Sequence, residues 1–381
     1  MKRLKIGLDF RPALSRATGV GRYFQGLVSG LGRVDHDNDY VLFSSSWKER
    51  PAEPEAPMPD NFELVDRRVP VRLLNALWHR AEMPSFERLA GHRIDIGHSP
   101  TPMLLPTRHG RSIVTICDLF FLERPDATGA EIRRDYGRLV RSHAQRADAI
   151  LAISETTAKD VVTKLNVAPD RVHVVPAGVD ERFLYEAPSS GTNGDDKNNG
   201  AGRESYLLAV ATIEPRKNLV SLLRAIALLK KRGWDGVLRV AGSPGLDVQR
   251  FDEVVEELGI GAMVQKLGYV HVDKLRSLYR GARAVVSPSL WEGFGLPLLE
   301  AMASRVPLVA SDIPVHREVA GDAASFAAPL DSEGLADAIE RVWSDDDVRQ
   351  SLVSKGVDRV SHFSWEDSAR KAVALYRLVG G

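Results

Sequence analysis

Two glutamates, Glu292 and Glu300, stand eight positions apart around a Gly-Phe-Gly-Leu-Pro turn in "PSLWEGFGLPLLEAMASRVPLVAS". The run before them, "ARAVVSPS", is apolar and β-branched and predicts a buried strand. Gly293 and Gly295 let the backbone approach something closely. Pro297 suits the first position of a helix, "PLLEAMAS" predicts that helix, and "VPLVAS" predicts the next strand. Glu292 is then expected on the loop and Glu300 in the helix's first turn. The N–H groups of such a turn, with the helix dipole, attract an anion. A carboxylate beside them repels bare phosphate and accepts hydrogen bonds from sugar hydroxyls instead. The pattern therefore calls for a ligand carrying both phosphate and sugar, a nucleotide sugar. In the plainer alternative Glu300 only complements the dipole and Glu292 is solvated.

Other strand ends carry polar groups. Arg216 and Lys217, in "ATIEPRKNLVSLLRAIALL", fall where a strand turns into a helix. Two cations beside fresh helix N–H groups suit a diphosphate; the alternative is a solvated basic pair. In "RATGVGRYFQGL", Gly19 and Gly21 precede a helix expected to start near Arg22, and such a turn can bring N–H groups to a phosphate. A dinucleotide fingerprint needs a third glycine where Phe24 stands, which disfavours NAD; a plain tight turn is the alternative. Asp118, after Cys117 at the end of "VTIC", either accepts a substrate hydroxyl or caps the next turn. Cys117 by itself reads as an inert thiol. His98 ends another strand, in "IDIGHSP", without a paired histidine. One cysteine and no His-Glu-x-x-His spacing argue against a zinc site. "DND", Asp37 to Asp39, reads as a polar turn rather than a metal-binding Asp-x-Asp.

The elements that must position these groups alternate. "LKIGLDF", "YVLFSS", "IDIGHSP", "SIVTICDL", "AILAIS" and "VHVVPAG" read as strands between helical segments, an α/β order with parallel sheets. The pattern breaks at 188–205, "PSSGTNGDDKNNGAGRES", which reads as a flexible linker, and restarts with "YLLAVATI". Two Rossmann-like halves follow, 1–187 and 206–364, with the ligand expected at strand carboxyl ends in a central cleft between facing sheets. Formal net charge is zero, so no global field points to nucleic acid. No signal peptide and no run of ~20 apolar residues is visible, so a cytoplasmic location is expected, at most peripheral to a membrane. The segment Arg67–Leu89 mixes Arg67, Arg68, Arg72 and Arg80 with Leu73, Leu74, Leu77 and Trp78. It suits either an anionic lipid surface or packing on its own sheet.

Taken together, "GVGRYFQGLVSGL", "VTICDL", "AISETTAKDVV", "VVPAGVD", "EPRKNL" and "SLWEGFGLPLLEAMASRVPLVASDIPVHREVAGDAA" resemble the retaining glycosyltransferases of the GT-B fold, family 4. The likeness is strongest to bacterial mannosyltransferases of O-antigen and polysaccharide assembly. The glutamate pair matches that family's E-x7-E motif. The resemblance implies a donor diphosphate held by Arg216 and Lys217, with Gly19 and Gly21 approaching it. It implies the ribose on Glu300, the transferred sugar on Glu292, and the backbone of Phe294, Gly295 and Leu296 facing sugar and phosphate. It implies a closing helix, 365–381, that packs back on the first domain. It further implies metal-independent transfer of a hexose, mannose from GDP-mannose, to a saccharide or lipid-linked saccharide, with no cofactor. Front-face chemistry has the leaving diphosphate take the acceptor's proton. Where the family carries His-Asp, this chain has Cys117-Asp118, so Cys117 is expected beside the donor sugar, with His98 as a further sugar-side candidate. The rival readings are a nucleotide-sugar epimerase of the same fold and an inactive nucleotide-sugar-binding homologue.

Overall fold

A computed structural model describes residues 2–14, 18–46, 58–130, 132–185 and 206–381. The expected linker at 188–205 lies outside the described residues. The chain forms two compact units, Met1–Gly178 with Phe363–Gly381, and Val179–His362. The first unit thus stops at Gly178, earlier than the expected 187. The cause is local packing. The Phe183 ring meets Tyr279 edge-on at 5.5 Å, and the Tyr185 N–H donates to the Ala303 carbonyl at 3.1 Å.

In the first unit the strands are β1 (Lys5–Asp9), β2 (Asp39–Ser45), β3 (Phe62–Arg67), β4 (Ile96–Ser99), β5 (Arg111–Ile116), β6 (Ala149–Ala152) and β7 (Val172–Val174). They form a seven-stranded sheet in the order β3-β2-β1-β4-β5-β6-β7, and all its pairings are parallel. β4 and β6 are buried throughout, as expected of strands covered by helices on both faces. Asp39 of the polar "DND" stretch opens β2 and pairs with Arg3 at 2.6 Å.

In the second unit the strands are β8 (Tyr206–Val210), β9 (Val237–Ala241), β10 (Val264–Gly268), β11 (Ala284–Ser287), β12 (Leu308–Ser311) and β13 (Ala324–Ala327). Their order is β10-β9-β8-β11-β12-β13, again parallel. Both sheets therefore have Rossmann-like winding. Each runs outward from its first strand and then reverses, between β1 and β4 and between β8 and β11. Crevices open at the carboxyl ends of strands at such reversals.

The helix Trp365–Gly380 belongs to the first unit and lies along the helix Gly19–Val34. Ser364 caps it by accepting from the Asp367 N–H, and Trp365 packs edge-on against Tyr23 at 5.7 Å. Buried Gly30 permits this approach. A Cβ there would sit 2.3 Å from the Trp365 carbonyl oxygen, which is backbone and cannot swing aside. Alanine for glycine in an open helix gains roughly 1 kcal/mol. Gly30→Ala is predicted to do the opposite, losing about 1–3 kcal/mol through overpacking, read as a lower melting temperature.

Candidate active site

β8 and β11 lie side by side, Leu207 beside Ala284 and Leu208 beside Val285, so the loops that leave them emerge together. The loop after β8 makes a 3-10 turn at Pro215–Lys217 and enters the helix Leu219–Lys231 through Asn218, whose φ is 52°. The loop after β11 runs from Pro288 to Gly295. Backbone and side chain tie the two. The Leu290 N–H donates to the Arg216 carbonyl at 2.8 Å, and Asn218 Nδ2 donates to the Pro288 carbonyl at 3.0 Å.

Across this junction sits a cluster of charges. Lys217 Nζ donates to Glu292 Oε1 at 2.5 Å, and Arg216 Nη1 donates to Glu292 Oε2 at 3.2 Å. Ser289 Oγ also donates to Glu292 Oε1, at 2.7 Å, while Arg216 Nε reaches Glu214 at 3.0 Å. The Lys217 and Glu292 side chains are only 11% and 9% exposed. Burial alone would push the Glu292 carboxyl up; Lys217 and then Arg216 outweigh it and bring the pKa down to about 2. Burial pulls the Lys217 ammonium below its ordinary value, against the support of Glu292. An ionised Glu292 at neutral pH is acceptor-only, and the two cations beside it are preset for an anion.

The following turn corrects one expectation. Gly295, at φ 105°, is the N-cap, so the helix runs Leu296–Ala303 with Pro297 second. Glu300 then lies in the second turn, not the first. It is 2% exposed, and its Oε2 accepts from the Tyr279 hydroxyl at 2.8 Å. The structure brings Arg216, Lys217 and Glu292 together at the mouth of the Phe294–Leu296 turn and sets Glu300 one turn below. Two residues of this site escaped the sequence reading. Asn218 was legible as a polar residue opening a helix; buried His316, beyond β12, carried no local signal.

Residues 17–183 match the model described as Glycosyltransferase Family 4, and residues 192–359 match Glycosyl transferases group 1. The chain is a family 4 glycosyltransferase. It is 28% identical over 386 residues to O-antigen chain mannosyltransferase B of Escherichia coli, covering 99% of this chain and 100% of that protein. Sucrose-phosphate synthase from Thermosynechococcus elongatus superposes with a TM-score of 0.77 at 20% identity, covering 99% of each chain. Anabaena HepE, in complex with UDP and glucose, superposes with a TM-score of 0.72 at 16% identity, covering 98% of this chain and 100% of that one. These likenesses fix the fold as GT-B.

In the glycosyltransferase's first unit, His98, Gly19 and Gly21 depart from expectation, while Asp118 takes the capping alternative. His98 is a core residue, not a sugar-side one. It is fully buried, with Nδ1 on the Tyr376 hydroxyl at 2.7 Å and Nε2 on Thr115 Oγ1 at 2.8 Å, and burial lowers its pKa to about 3. Gly19 and Gly21 are inside the helix's first turn rather than before it, because Thr18 caps the helix and accepts from the Gly21 N–H at 3.1 Å. Asp118 Oδ1 accepts from the Phe120 N–H at 3.0 Å, which is the capping role. Cys117 is half-buried just past β5, and burial, then Asp118, raise its thiol above the ordinary range. A thiol kept protonated is a weak donor and a slow nucleophile. Among the described residues, no three His, Cys, Asp or Glu side chains group as metal ligands.

The same unit holds a cavity of about 240 Å³ at the carboxyl ends of β1, β2 and β4, lined by Asp9, Arg11, Asn75, Trp78, His79 and Tyr136 among others. Arg11 meets Asp9 in a nearly buried pair at 2.7 Å, donates to Asn75 Oδ1 at 3.0 Å and lies 4.4 Å from the Trp78 ring centre. The sequence reading missed Asp9 and Arg11, although Asp9 ends β1 and Arg11 stands two residues further on.

The Glu292 pair has a pH signature. Its folded pKa lies below the usual 4.5, so its stabilisation is complete above that value and is lost as pH falls through about 2. At neutral pH Glu292→Gln leaves two cations without their carboxylate and is predicted to be less stable than wild type. Urea titrations should show that gap shrink by roughly 3 kcal/mol between pH 5 and pH 2.

Proposed function

We propose that this glycosyltransferase moves mannose from GDP-mannose to a saccharide or lipid-linked saccharide, with retention of the anomeric configuration and without a metal ion. The observation that carries the reading is the Arg216–Lys217–Glu292 cluster at the β8–β11 reversal. The cations suit the donor diphosphate, and the ionised carboxylate suits the hydroxyls of the transferred sugar. Mannose is supported by the name of the Escherichia coli relative, which matches along its whole length. In the chemistry proposed, the bond from the sugar's C1 to the diphosphate oxygen breaks as the acceptor oxygen attacks the same face. The leaving diphosphate takes the acceptor's proton. Arg216 and Lys217 offset the growing negative charge, an electrostatic contribution made by groups already in place. Glu292, bound to two cations, serves as a hydroxyl acceptor rather than a nucleophile. The first unit's cavity, where Asp9, Arg11 and Asn75 face an aromatic wall at Trp78, is assigned to the acceptor sugar.

A membrane-surface acceptor is supported by the helix Val71–Ala81. Leu74 and Trp78 are buried beneath it, whereas Leu73 is 53% exposed and Leu77 38%, with Arg72 and Arg80 also exposed. Among the described residues, no helix is long and apolar enough to cross a bilayer. This face suits a peripheral contact. Leu73→Ser with Leu77→Ser is predicted to lower sedimentation with anionic vesicles at low salt; equal sedimentation of variant and wild type would end the idea.

The transfer itself is tested by NMR of the product formed from GDP-mannose and a mannoside acceptor in EDTA. An α-linked product that forms only with acceptor present is expected, which also separates transfer from epimerisation. Lys217→Ala should weaken donor binding about ten- to a hundredfold, the worth of one charge-assisted contact, and slow transfer. Unchanged binding and rate in that variant would remove the clamp, and loss of activity restored by manganese would remove metal independence.

A further inference from the structure

His316, in the helix Pro314–Ala320 beyond β12, is wholly buried. Its Nδ1 lies 3.0 Å from the Ser311 carbonyl oxygen and 3.1 Å from Ser311 Oγ. A carbonyl oxygen only accepts, so Nδ1 carries the ring proton. The Ser311 hydroxyl, in turn, donates to the carbonyl of Ser289, whose own hydroxyl holds Glu292. Burial keeps the imidazole below its ordinary pKa and therefore neutral. Nε2 is then a bare lone pair, and it is buried without a hydrogen-bond partner among the described residues. An unpaired buried acceptor is costly, which makes a partner in the working state the natural resolution.

The direction of that lone pair narrows the partner. Cδ2, bonded to Nε2, lies 3.7 Å from the point where a Cβ on Gly295 would project. This edge of the ring therefore faces the turn assigned to the donor. A neutral Nε2 cannot bind a phosphate oxygen, since both only accept. It needs an O–H or N–H, and the donor's hexose brings hydroxyls to this turn.

Resting on the donor reading above, we infer that His316 Nε2 accepts a hydrogen bond from a hydroxyl of the donor's hexose. His316 and Glu292 then set two acceptor-only groups against the sugar, while Arg216 and Lys217 take the diphosphate. Nε2 is covered by the surrounding chain, so a sugar hydroxyl reaches it only if the Gly295 turn moves. His316 acts on the sugar part of the donor and not on the nucleotide.

Two substitutions divide the ring's functions. Asn at 316 places an amide near Nδ1 and keeps a link to Ser311; Gln places one near Nε2. Calorimetry with GDP and with GDP-mannose gives, for each protein, the gain in affinity due to the sugar. His316→Asn is expected to cut that gain about fivefold, the worth of one net hydrogen bond, and to leave GDP binding within about twofold. His316→Gln is expected to keep most of the gain. Melting temperatures confirm that both variants are folded; if one is not, the other still decides, by loss of the gain in Asn or its survival in Gln. Equal effects on GDP and GDP-mannose in the folded variants, or the same loss in Asn and Gln, would make His316 a packing residue and overturn the inference. If wild type binds GDP but gains nothing from GDP-mannose, UDP- and ADP-sugars replace it. No gain with any sugar nucleotide overturns the donor reading and the His316 inference together, a result distinct from a wild-type gain that His316→Asn leaves intact.

Discussion

The second unit is organised by one nearly buried ion pair, Lys217 with Glu292. Neither charge is tolerable there alone, because removing a charge from water costs several kcal/mol. The loops after β8 and β11 must therefore close on each other, and the Leu290–Arg216 and Asn218–Pro288 hydrogen bonds record that closure. A pair of well-packed apolar side chains would often serve stability as well or better. What the ionic pair adds is two cations held at a strand-end crevice before any anion arrives. In the transfer proposed above, such preorganisation would spare the reorientation of solvent or side chains as charge develops.

Both sheets wind the same way, yet their reversals carry different chemistry. At β8 and β11 two cations, Arg216 and Lys217, are answered by Glu292 and Glu214, with a glycine turn behind them. At β1 and β4 the Arg11 charge is answered by Asp9 at once, and the nearby cavity has an aromatic wall. One winding scheme thus presents two different sets of side chains at its strand ends. The difference rests on which side chains stand at the strand ends.

Most strands and the ion-pair residues were legible because their signals are local; β3 and β13, only partly buried, were not read as strands. Apolar β-branched runs mark covered strands, and charges directly after them mark crevices. What was misread depends on partners distant in sequence or on backbone angles. Glu300 shifted by a turn because the left-handed Gly295, rather than Pro297, sets where the helix starts. Gly19 and Gly21 moved into a helix because Thr18 caps it. The two informative histidines were indistinguishable on paper. His98 is satisfied by Tyr376, far away in the chain, while one nitrogen of His316 has no partner among the described residues. The boundary near Gly178 moved because Phe183 and Tyr185 find their partners at Tyr279 and Ala303.

The first unit is discontinuous: the chain leaves it at Gly178 and returns at Phe363. On a ribosome adding about 5–20 residues per second, the returning helix emerges roughly ten to forty seconds after the sheet it covers. Throughout that interval the helix Gly19–Val34 lacks the cover that Trp365 provides, and His98 lacks the Tyr376 hydroxyl. For that interval the nascent first unit exposes apolar surface that the finished fold covers. The second unit, Val179–His362, is continuous in sequence and reaches completion before the first one does.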